Sequence, residues 1–484
     1  MCAVKEPHRK AIEEVISQGY QISPQAYKFL LSQPSGDVER LVSLALDRAR
    51  RLGGVFVLEP HHFTPEFEVV EAKAPVDSQM VILPQPEAVS IGSAQGYLRL
   101  FQSRFQQLES IMKSRMDLRD AAPLAQVLKL PLKVRFKTIA MVADKYTRGR
   151  RLFLELESPE ASATAMVSDQ ELVSKALEVL KDQVICLEGI RYNQGLLIAN
   201  DLIWPDVPLH QASRSEKDSL VVFTGDLHIG SNYFRRDLFQ KLLDWLNQRL
   251  GPRPSRELAS KVKYLVLVGD TVDGIGVYPE QLGELTISTQ LGQYEEAAQL
   301  LEGLPKHIET LIIPGNHDAV RRSLPQPPID EPYAPSLYGN PPLPPAPNPP
   351  HLHKKGVKVL VAHGTALTDI LGSTPGHDFH NPITAMELLL RCRHLAPTYG
   401  LNTPLAPEST DRLVISQVPD VMVMGHIHIY GSKRYRGVTL VSTGCFQDQT
   451  PFQRRMDLKP TPGIVSLFNL RTHEELPLDL ESLG

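Results

Sequence analysis

The chain has 484 residues, a length that suits two or three domains with a large apolar core. Its 51 basic and 55 acidic residues give a formal net charge of -4, which excludes a protein that coats nucleic acid over its whole surface. The four cysteines lack the spacing of a disulfide framework or a cysteine metal site. The N-terminus lacks an apolar signal core and no apolar run could span a bilayer, so we expect a cytoplasmic protein without a membrane partner.

Residues 1–55 are predicted to form a small helical domain. Two apolar stripes at helical spacing indicate it: Ala11, Ile12, Val15 and Ile16, then Leu41, Val42, Leu44 and Ala45. Asp37 suits the N-cap of the later helix. The sequence leaves open whether this domain binds a partner or packs on its neighbour. Residues 56–128 are predicted to be a Pro-rich polar linker that contains one amphipathic helix, from Tyr97 to Ile111.

Residues 129–212 are predicted to form an OB-fold β-barrel, because short strand-like segments recur there around one helical stretch near 169–181. The segments are 134–136, 138–142, 151–156, 163–167, 184–190 and 196–203. Basic residues interleaved with Phe136 and Tyr146 suit contact with a single strand through phosphates and base stacking. The alternative is a barrel that bridges its neighbours structurally, and the small number of aromatic residues favours it slightly.

From residue 213 to the end there are five short polar blocks, and nearly every one follows an apolar, β-branched run. They are Asp226-Leu-His228, Gly269-Asp270-Thr-Val-Asp273, Gly315-Asn316-His317-Asp318, His363-Gly364 and Gly425-His426-Ile-His428. Polar loops at the ends of buried strands are where open sheets place their chemistry. Imidazole together with carboxylate suits Mn, Fe or Zn, and two cations about 3.5–4 Å apart need a shared anion, for which Asp270 is the natural candidate. A single block is usually just a turn, but all five in this order predict two adjacent metal ions.

The five blocks resemble the pattern of the calcineurin-like metallophosphoesterase superfamily. The resemblance implies two metal sites that share one carboxylate: Asp226, His228, Asp270 and His428 for the first, and Asp270, Asn316, His363 and His426 for the second. It implies two divalent ions, Mn²⁺ before Fe²⁺, Zn²⁺ or Mg²⁺. His317 would stabilise the transition state or protonate the leaving oxygen, and Asp318 would hold that imidazole in its productive tautomer. Asp273 is predicted to support a ligand from behind, with an ordinary turn residue as the alternative.

Residues beside the blocks favour a phosphodiester over a phosphoprotein substrate. Protein Ser/Thr phosphatases of the superfamily carry an arginine where Gly274 stands here and a glutamate where Asp318 stands, and their arginines clamp a phosphomonoester. Arg321 and Arg322 follow closely and are candidate substrate-binding residues, although surface arginines need no such role. The Pro-rich stretch 325–350 is predicted to be a long surface loop that borders the active-site cleft.

A barrel followed by a complete set of these blocks is similar to the small subunit of archaeal family D DNA polymerase. Further stretches carry the likeness: Arg393-His-Leu-Ala-Pro-Thr-Tyr-Gly400, Thr443-Gly444 with Gln447, Gln449-Thr450, Phe452-Gln453 and Pro460-Thr-Pro-Gly463. The likeness covers roughly residues 130–484 and includes the N-terminal helical module more weakly. It implies an α/β metallophosphoesterase sandwich for 213–484, with two packed mixed β-sheets flanked by helices, after an OB-fold barrel and a small N-terminal helical domain.

The same resemblance implies a 3′–5′ proofreading exonuclease that acts on the 3′ end of a DNA primer by a two-metal mechanism. It also implies a scaffold for the large catalytic polymerase subunit, with the sliding clamp and primase as further partners. Arg393 and His394 join the candidate substrate-binding residues. One alternative is a non-catalytic scaffold like the eukaryotic B-subunits, against which the complete ligand set argues. Another is a standalone repair nuclease or small phosphodiesterase, which the barrel and the 393–400 stretch disfavour.

Overall fold

The computed structural model describes residues 6–18, 20–52, 57–58, 60–63, 81–82, 92–339, 343, 345–354 and 356–483. They divide into two compact units, Met1–Ser78 and Gln79–Gly484. Among the helices in these ranges, none has the length and apolar character that crossing a membrane requires.

The first unit is mainly helical, with its apolar side chains gathered into one core. Its elements are α1 (Glu6–Ser17), β1 (Gln21–Ile22), α2 (Pro24–Ser32), α3 (Val38–Leu52), β2 (Val57–Leu58) and α4 (Pro60–Phe63), with β1 parallel to β2. Helix α2 begins where the Ser23 hydroxyl accepts a hydrogen bond from the Ala26 N–H at 3.1 Å. Val15, Leu30 and Phe63 are fully buried in the shared core. Phe63 lies beyond the predicted boundary at residue 55, and α2 falls within the predicted helical domain although no apolar stripe was assigned to it.

The second unit begins with a short edge strand and a helix, and continues into a barrel. Its first elements are β3 (Val81–Ile82), α5 (Ala94–Lys113), α6 (Leu124–Val127), β4 (Arg135–Arg148), β5 (Arg151–Ser158), β6 (Ala161–Val167), α7 (Gln170–Leu177), β7 (Val184–Arg191) and β8 (Leu196–Ile203). Strands β4 to β8 close a five-stranded barrel in the order β4-β5-β6-β8-β7. The segments predicted at 134–136 and 138–142 fall in one strand, β4, which pairs with β7 up to Met141 and with β5 from Met141 onward, with an irregularity between Val142 and Asp144.

Helix α5 packs into the second unit and is not part of a linker. Its Phe105 and Met112 share an apolar cluster with Met141 and Val184 of the barrel. Its Arg104 is fully buried, with Nε 2.8 Å from Oδ2 of Asp411. The prediction that residues 56–128 form a linker is therefore wrong for the part that contains α5, which belongs to the second unit. The Pro-rich composition of the first half of 56–128 suggested an open connection, but the amphipathic second half is buried against two other parts of the unit.

Two mixed β-sheets form the rest of the second unit. The strands are β9 (Leu220–Thr224), β10 (Val262–Val268), β11 (Glu309–Ile313), β12 (His351–Lys354), β13 (Val357–Ala362), β14 (Val421–Met424), β15 (Gly431–Tyr435), β16 (Val438–Ser442), β17 (Ile464–Asn469) and β18 (Glu475–Asp479). The helices are α8 (Arg236–Leu246), α9 (Arg253–Lys261), α10 (Gln290–Leu301), α11 (Ala366–Leu371), α12 (Pro382–Cys392) and α13 (Pro451–Arg455), with 3₁₀ turns at Gln281–Glu284, Glu331–Tyr333 and Pro335–Tyr338.

The two sheets share one apolar core. Their orders are β11-β10-β9-β17-β18 and β15-β16-β14-β13-β12-β3, with β9, β10 and β11 parallel in the first and β13, β14 and β16 parallel in the second. Phe223 and Val266 of the first sheet pack with Val361 and Val423 of the second. Because side chains alternate along a strand, each sheet's other face is covered by helices: α8 and α10 on the first, α11 and α12 on the second. The predicted mixed sheets with flanking helices and an upstream barrel are confirmed.

Candidate metal centre

The predicted ligands lie in loops at the carboxyl ends of five strands. Asp226 follows β9, Asp270 follows β10, Asn316 follows β11, His363 follows β13 and His426 follows β14. Parallel strands end at the same edge of a sheet, so these loops meet at one edge of the two packed sheets. Five ligand positions have left-handed backbone conformations: φ is 51° at Asp226, 51° at His228, 49° at Asp270, 73° at His426 and 64° at His428. Asp and His are among the few residue types that adopt this region readily.

Asp226, His228 and His428 form the first group of candidate ligands. One ligand atom from each lies within 4.8 Å of the other two. Oδ1 of Asp226 is 3.5 Å from Nε2 of His428, and Nε2 of His428 is 3.1 Å from Nε2 of His228. Two imidazole nitrogens that approach each other beside a buried carboxylate form a site that suits a cation.

Asp270, His363 and His426 form the second group, again with ligand atoms within 4.8 Å of one another. Nε2 of His363 is 3.3 Å from Oδ2 of Asp270 and 2.9 Å from Oδ1 of Asn316. The rings of His363 and His426 meet edge to face, with centroids 5.1 Å apart. The structure therefore brings the four residues predicted for the second metal together.

The carboxylate of Asp270 lies between the two groups. Its Oδ2 is 3.7 Å from Nε2 of His228 and 3.3 Å from Nε2 of His363, and its Oδ1 accepts a hydrogen bond from the His317 N–H at 2.8 Å. Burial alone raises the pKa of Asp270, but the charges of His363 and His317 outweigh burial and hold that pKa well below its usual value. Asp270 is thus an anion placed where two cations would share it.

The pKa values of the two imidazoles in the second group are shifted in opposite directions. The pKa of His363 rises to about 9, because the charge of Asp270 outweighs burial. The pKa of His426 falls to about 3, because burial and the charge of His363 both disfavour its protonation. Since an imidazole binds a metal only in its neutral form, a cation bound here would displace the proton of His363. Imidazole, carboxylate and amide donors together suit Mn, Fe or Zn.

His317 is placed beside the first group, with its ring edge to face on His228 at a centroid distance of 4.6 Å. Its Nδ1 lies 2.7 Å from the carbonyl oxygen of Asp273. Burial lowers the pKa of His317, although the charge of Asp270 opposes this effect. The carbonyl of Asp273 is therefore the group that orients this ring.

The expectation that Asp318 holds the His317 ring is wrong. Oδ2 of Asp318 accepts hydrogen bonds from the N–H groups of Gly315 at 2.9 Å and Thr271 at 3.2 Å, and Oδ1 accepts one from the Tyr294 hydroxyl at 3.1 Å. Asp318 thus joins the loop after β11 to the loop after β10, and burial raises its pKa to about 6. Its position next to His317 in the sequence gave no sign that its side chain points away from that ring.

Asp273 contacts a ligand from behind, as predicted. Its Oδ1 is 2.9 Å from Nδ1 of His228, and Gln281 and Gln447 donate to its carboxylate at 2.8 and 3.3 Å. Burial raises the pKa of Asp273, but the hydrogen bond and the charge of His228 lower it overall. A carboxylate in this position fixes the tautomer of a metal-binding imidazole and raises its basicity.

The other histidine ligands also have a second partner. Nδ1 of His363 lies 2.8 Å from the Val268 carbonyl oxygen, Nε2 of His426 lies 2.9 Å from the Thr368 hydroxyl, and Nδ1 of His428 lies 3.0 Å from Nε2 of Gln453. Thr368 and Gln281 were missed, because only folding brings them to the site. Gln447 and Gln453 stand in stretches that carried the family likeness, but the sequence gave them no role.

The two arginines after His317 differ in their availability to a substrate. Nε of Arg321 donates to the Pro325 carbonyl at 3.0 Å, and its guanidinium pairs with the buried Glu408, so Arg321 braces the start of the Pro-rich loop. Arg322 is exposed, and its Nη2 donates to the Val277 carbonyl at 2.9 Å. Both line the cleft next to His317, together with Pro327, Pro328, Asp330 and Tyr333 of the loop, so the loop borders the cleft as predicted.

Arg393 and His394 are not positioned to bind a substrate. Arg393 is buried, and its Nε and Nη2 donate to the carbonyls of Ile415 and Ser416 at 2.7 and 2.8 Å. His394 is also buried, with Nε2 3.0 Å from Oδ2 of Asp411. The assignment of these two residues to substrate binding is corrected: Arg393 joins two parts of the segment after α12, and His394 contacts the carboxylate that pairs with Arg104 of α5.

Comparisons with known proteins agree with this architecture. Residues 221–430 match the family model of the DNA polymerase alpha/epsilon B-subunit. The chain is 38% identical over 415 residues to the DNA polymerase II small subunit of Archaeoglobus fulgidus, an alignment that covers 85% of this chain and 83% of that protein. It is 36% identical over 421 residues to the protein of the same name from Pyrococcus furiosus, covering 84% and 69%. The corresponding protein of Methanothermobacter thermautotrophicus is 37% identical over 404 residues, 83% of each chain. The chain therefore belongs to the family of archaeal DNA polymerase II small subunits, the small subunits of family D DNA polymerase.

Proposed function

We propose that the chain is a metal-dependent 3′–5′ exodeoxyribonuclease that removes nucleotides from the 3′ end of a DNA primer. One observation carries the proposal: a single oxygen of Asp270 lies within 3.7 Å of His228 and 3.3 Å of His363, which belong to different ligand groups. Two cations about 3.5–4 Å apart that share a carboxylate are the standard arrangement for hydrolysis of phosphate esters. On this basis we assign the two packed sheets to the metallophosphoesterase sandwich.

The donors fit two divalent ions, with Mn²⁺ as the first candidate. Asp226, His228, Asp270 and His428 would hold one ion, and Asp270, Asn316, His363 and His426 the other. Bound there, the ions would supply Lewis-acid stabilisation of the phosphate and a lowered pKa for the attacking water. His317, oriented through Nδ1 by the Asp273 carbonyl, would contact the departing 3′ oxygen through Nε2.

Steric exclusion at Gly274 favours a phosphodiester over a phosphomonoester. Gly274 stands where the phosphatases of the superfamily carry an arginine, and a Cβ added there would lie 2.2 Å from the His317 carbonyl oxygen. No side chain can therefore occupy that position without moving the loop that carries His317. Arg321 is committed to Glu408, which leaves Arg322 as the cleft arginine that can approach a phosphate. A single arginine suits the single negative charge of a diester.

The name that the relatives share suggests which partner this chain assembles with. Proteins called the small subunit of DNA polymerase II imply a large catalytic subunit, so we propose that this chain assembles with such a subunit and gives it structural support. The sliding clamp and primase are further proposed partners. A purely structural role is the competing proposal, but it gives no reason for the complete set of ligands and supporting residues.

The test uses a 5′-labelled primer with a mismatched 3′ end, in Mn²⁺, with the full chain alone and with its large subunit. We expect wild type to shorten the labelled strand from its 3′ end by releasing 5′-mononucleotides, and Asp270→Asn and His317→Ala to be at least about 100-fold slower. His307→Ala, which removes an exposed histidine, is the matched control and should resemble wild type. Manganese titration should find two ions in wild type and in His317→Ala, but weaker binding in Asp270→Asn. Equal degradation by all four proteins, or by none even with the large subunit, would reject the catalytic proposal.

A further inference from the structure

A cleft of about 450 Å³ opens beside the metal centre. Asn316 and His317 line the cleft, and Asn316 is itself a candidate metal ligand. Ile275 and Val277, from the loop after β10, also line it. The first part of the Pro-rich loop adds Pro327, Pro328 and Tyr333. Its volume lies within the range of pockets that take small organic ligands, about 300–1,000 Å³.

The Pro-rich wall of this cleft is fixed by the core behind it. Ile329, Ala334 and Leu337 are fully buried in the apolar cluster that covers the first sheet. Gln326 and Asn348 join the two ends of the loop by a pair of backbone hydrogen bonds of 2.8 and 3.0 Å. A wall that is held in place loses little conformational entropy when a ligand packs against it, so the cleft is preorganised for binding.

The surface of the cleft suits a planar aromatic group that is linked to a phosphate. Tyr333 is 54% exposed although it borders the cleft, and the two prolines and Ile275 add further apolar surface. Arg322 supplies positive charge near His317. Asp330 is an acidic residue of the cleft wall; it disfavours a phosphate on its own side and can accept hydrogen bonds from amino groups of a base.

We propose that this cleft receives the base of the unpaired 3′-terminal nucleotide, with Tyr333 stacking on that base and Arg322 facing the adjoining phosphate. The proposal rests on the proposed nuclease function and names the residues that would recognise the unpaired end: Tyr333 for its base and Arg322 for its phosphate. A paired terminal base would have to leave the helix stack to enter the cleft, and the free-energy cost of leaving is lowest for a mismatched base. The cleft therefore discriminates mispaired from paired ends without contact to the template.

Binding is tested without catalysis, in EDTA, with the full chain and a single-stranded oligonucleotide that carries the fluorescent base 2-aminopurine at its 3′ end. We expect binding to change the emission of the terminal base more than that of the same base placed internally. Tyr333→Ala should remove this difference and weaken binding about tenfold, the order of one lost stacking contact. Tyr333→Phe should keep both. Tyr192→Ala, which removes another tyrosine that is also 54% exposed, is the control and should behave as wild type.

Hydrolysis in Mn²⁺ distinguishes base recognition from damage to the metal centre. Tyr333→Ala should raise KM for an oligonucleotide with an unpaired 3′ end about tenfold, and should hydrolyse an oligonucleotide that lacks its terminal base, which offers Tyr333 no ring, at the wild-type rate. The oligonucleotide that lacks its terminal base should also bind wild type and variant equally. An unchanged terminal-base signal in Tyr333→Ala, or equal loss on both oligonucleotides, overturns the proposal. Failure of wild type to hydrolyse either oligonucleotide while the terminal signal persists would instead reject the nuclease function.

Discussion

The carboxylate of Asp318 is buried directly behind the metal centre, where it accepts hydrogen bonds from Gly315, Thr271 and Tyr294. A charged carboxylate in such a place loses its hydration, and burial raises the pKa of Asp318 to about 6. Three donors compensate for part of this loss. Asp318 thus joins two ligand loops. Because its pKa differs between the folded and unfolded states, its protonation is linked to the stability of the fold.

We expect Asp318→Asn to change how the stability of the metal-free protein depends on pH. The folded-state pKa is raised, so protonated Asp318 favours folding most below the unfolded pKa near 3.8, and this contribution is lost as the pH rises through about 6. Asparagine cannot ionise. Relative to wild type, the variant should therefore gain unfolding free energy between pH 4 and pH 7.

Denaturant unfolding in EDTA, followed by tryptophan fluorescence at both pH values, measures this difference. Asp318→Ala is the control; it should be less stable by about 1–3 kcal/mol at both pH values, because buried N–H groups lose their acceptor. A constant difference between wild type and Asp318→Asn across the range would contradict the expected protonation.

At the scale of single residues, types and spacing predicted which polar side chains the structure brings together, because these residues follow the strand ends themselves. The same approach was wrong for Arg393 and His394, since a sequence motif shows which residues are present but not which way they point. Burial turned these two side chains into internal hydrogen-bonding groups. Gln281 and Thr368 could not be predicted, because they reach the site through the path of the chain.

At the scale of elements, helix α5 is tied to the second unit by a buried ion pair. The side chains of Arg104 and Asp411 are 0% and 1% exposed, and Asp411 also contacts His394 at 3.0 Å. Burial raises the pKa of Asp411, but the charges of His394 and Arg104 outweigh it and hold that pKa well below its usual value. The helix and the segment after α12 thus depend on each other for charge compensation.

We expect Arg104→Met to destabilise the second unit by about 3–5 kcal/mol, because a buried carboxylate loses its guanidinium partner. Lys113→Met is the matched control on the same helix: its ion pair with Glu109 is 37% and 29% exposed, so its loss should cost less than about 1 kcal/mol. Both tryptophans of the chain, Trp204 and Trp245, lie in the second unit, so their fluorescence during denaturant unfolding reports on that unit. Similar midpoints for the two variants would show that α5 contributes little to this unit.

The amphipathic spacing predicted α5 correctly as a helix, while its role was misjudged. Periodicity shows that a helix has an apolar face but not what covers that face. Strand β4 was divided in two because Lys137 interrupts the apolar run, yet a barrel strand exposes alternate residues and continues through such a position. Helix α7 was correctly placed between the barrel strands, where Asp169 accepts a hydrogen bond from the Leu172 N–H at 3.0 Å.

At the scale of the whole molecule, the two units have separate cores. The core of the first unit contains residues between Ala11 and Phe63, and the core clusters of the second unit begin at Leu100. We therefore expect a shortened chain of residues 79–484 to fold and to hydrolyse bis(p-nitrophenyl) phosphate within about twofold of the full chain. Circular dichroism and the rate in Mn²⁺ measure the two outcomes. Loss of the tryptophan unfolding transition in the shortened chain would contradict independent folding.

The sequence predicted the layers of the second unit better than their connections. The resemblance to the metallophosphoesterase superfamily implied two mixed sheets flanked by helices. The sequence could not predict that β17, near the end of the chain, pairs with β9, or that the short β3 extends the second sheet. Those pairings depend on which edges remain open after the central strands have assembled.

The backbone is left-handed at five candidate ligand positions, and this conformation affects the stability of the fold: Asp226, His228, Asp270, His426 and His428. Such a conformation costs a residue with a Cβ roughly 1–2 kcal/mol, and glycine adopts it without that cost. Replacing one of these ligands by glycine would thus relax the backbone at the same time as it removes a metal donor. The candidate ligand positions therefore lower the stability of the metal-free fold, and glycine at one of them would restore part of that stability.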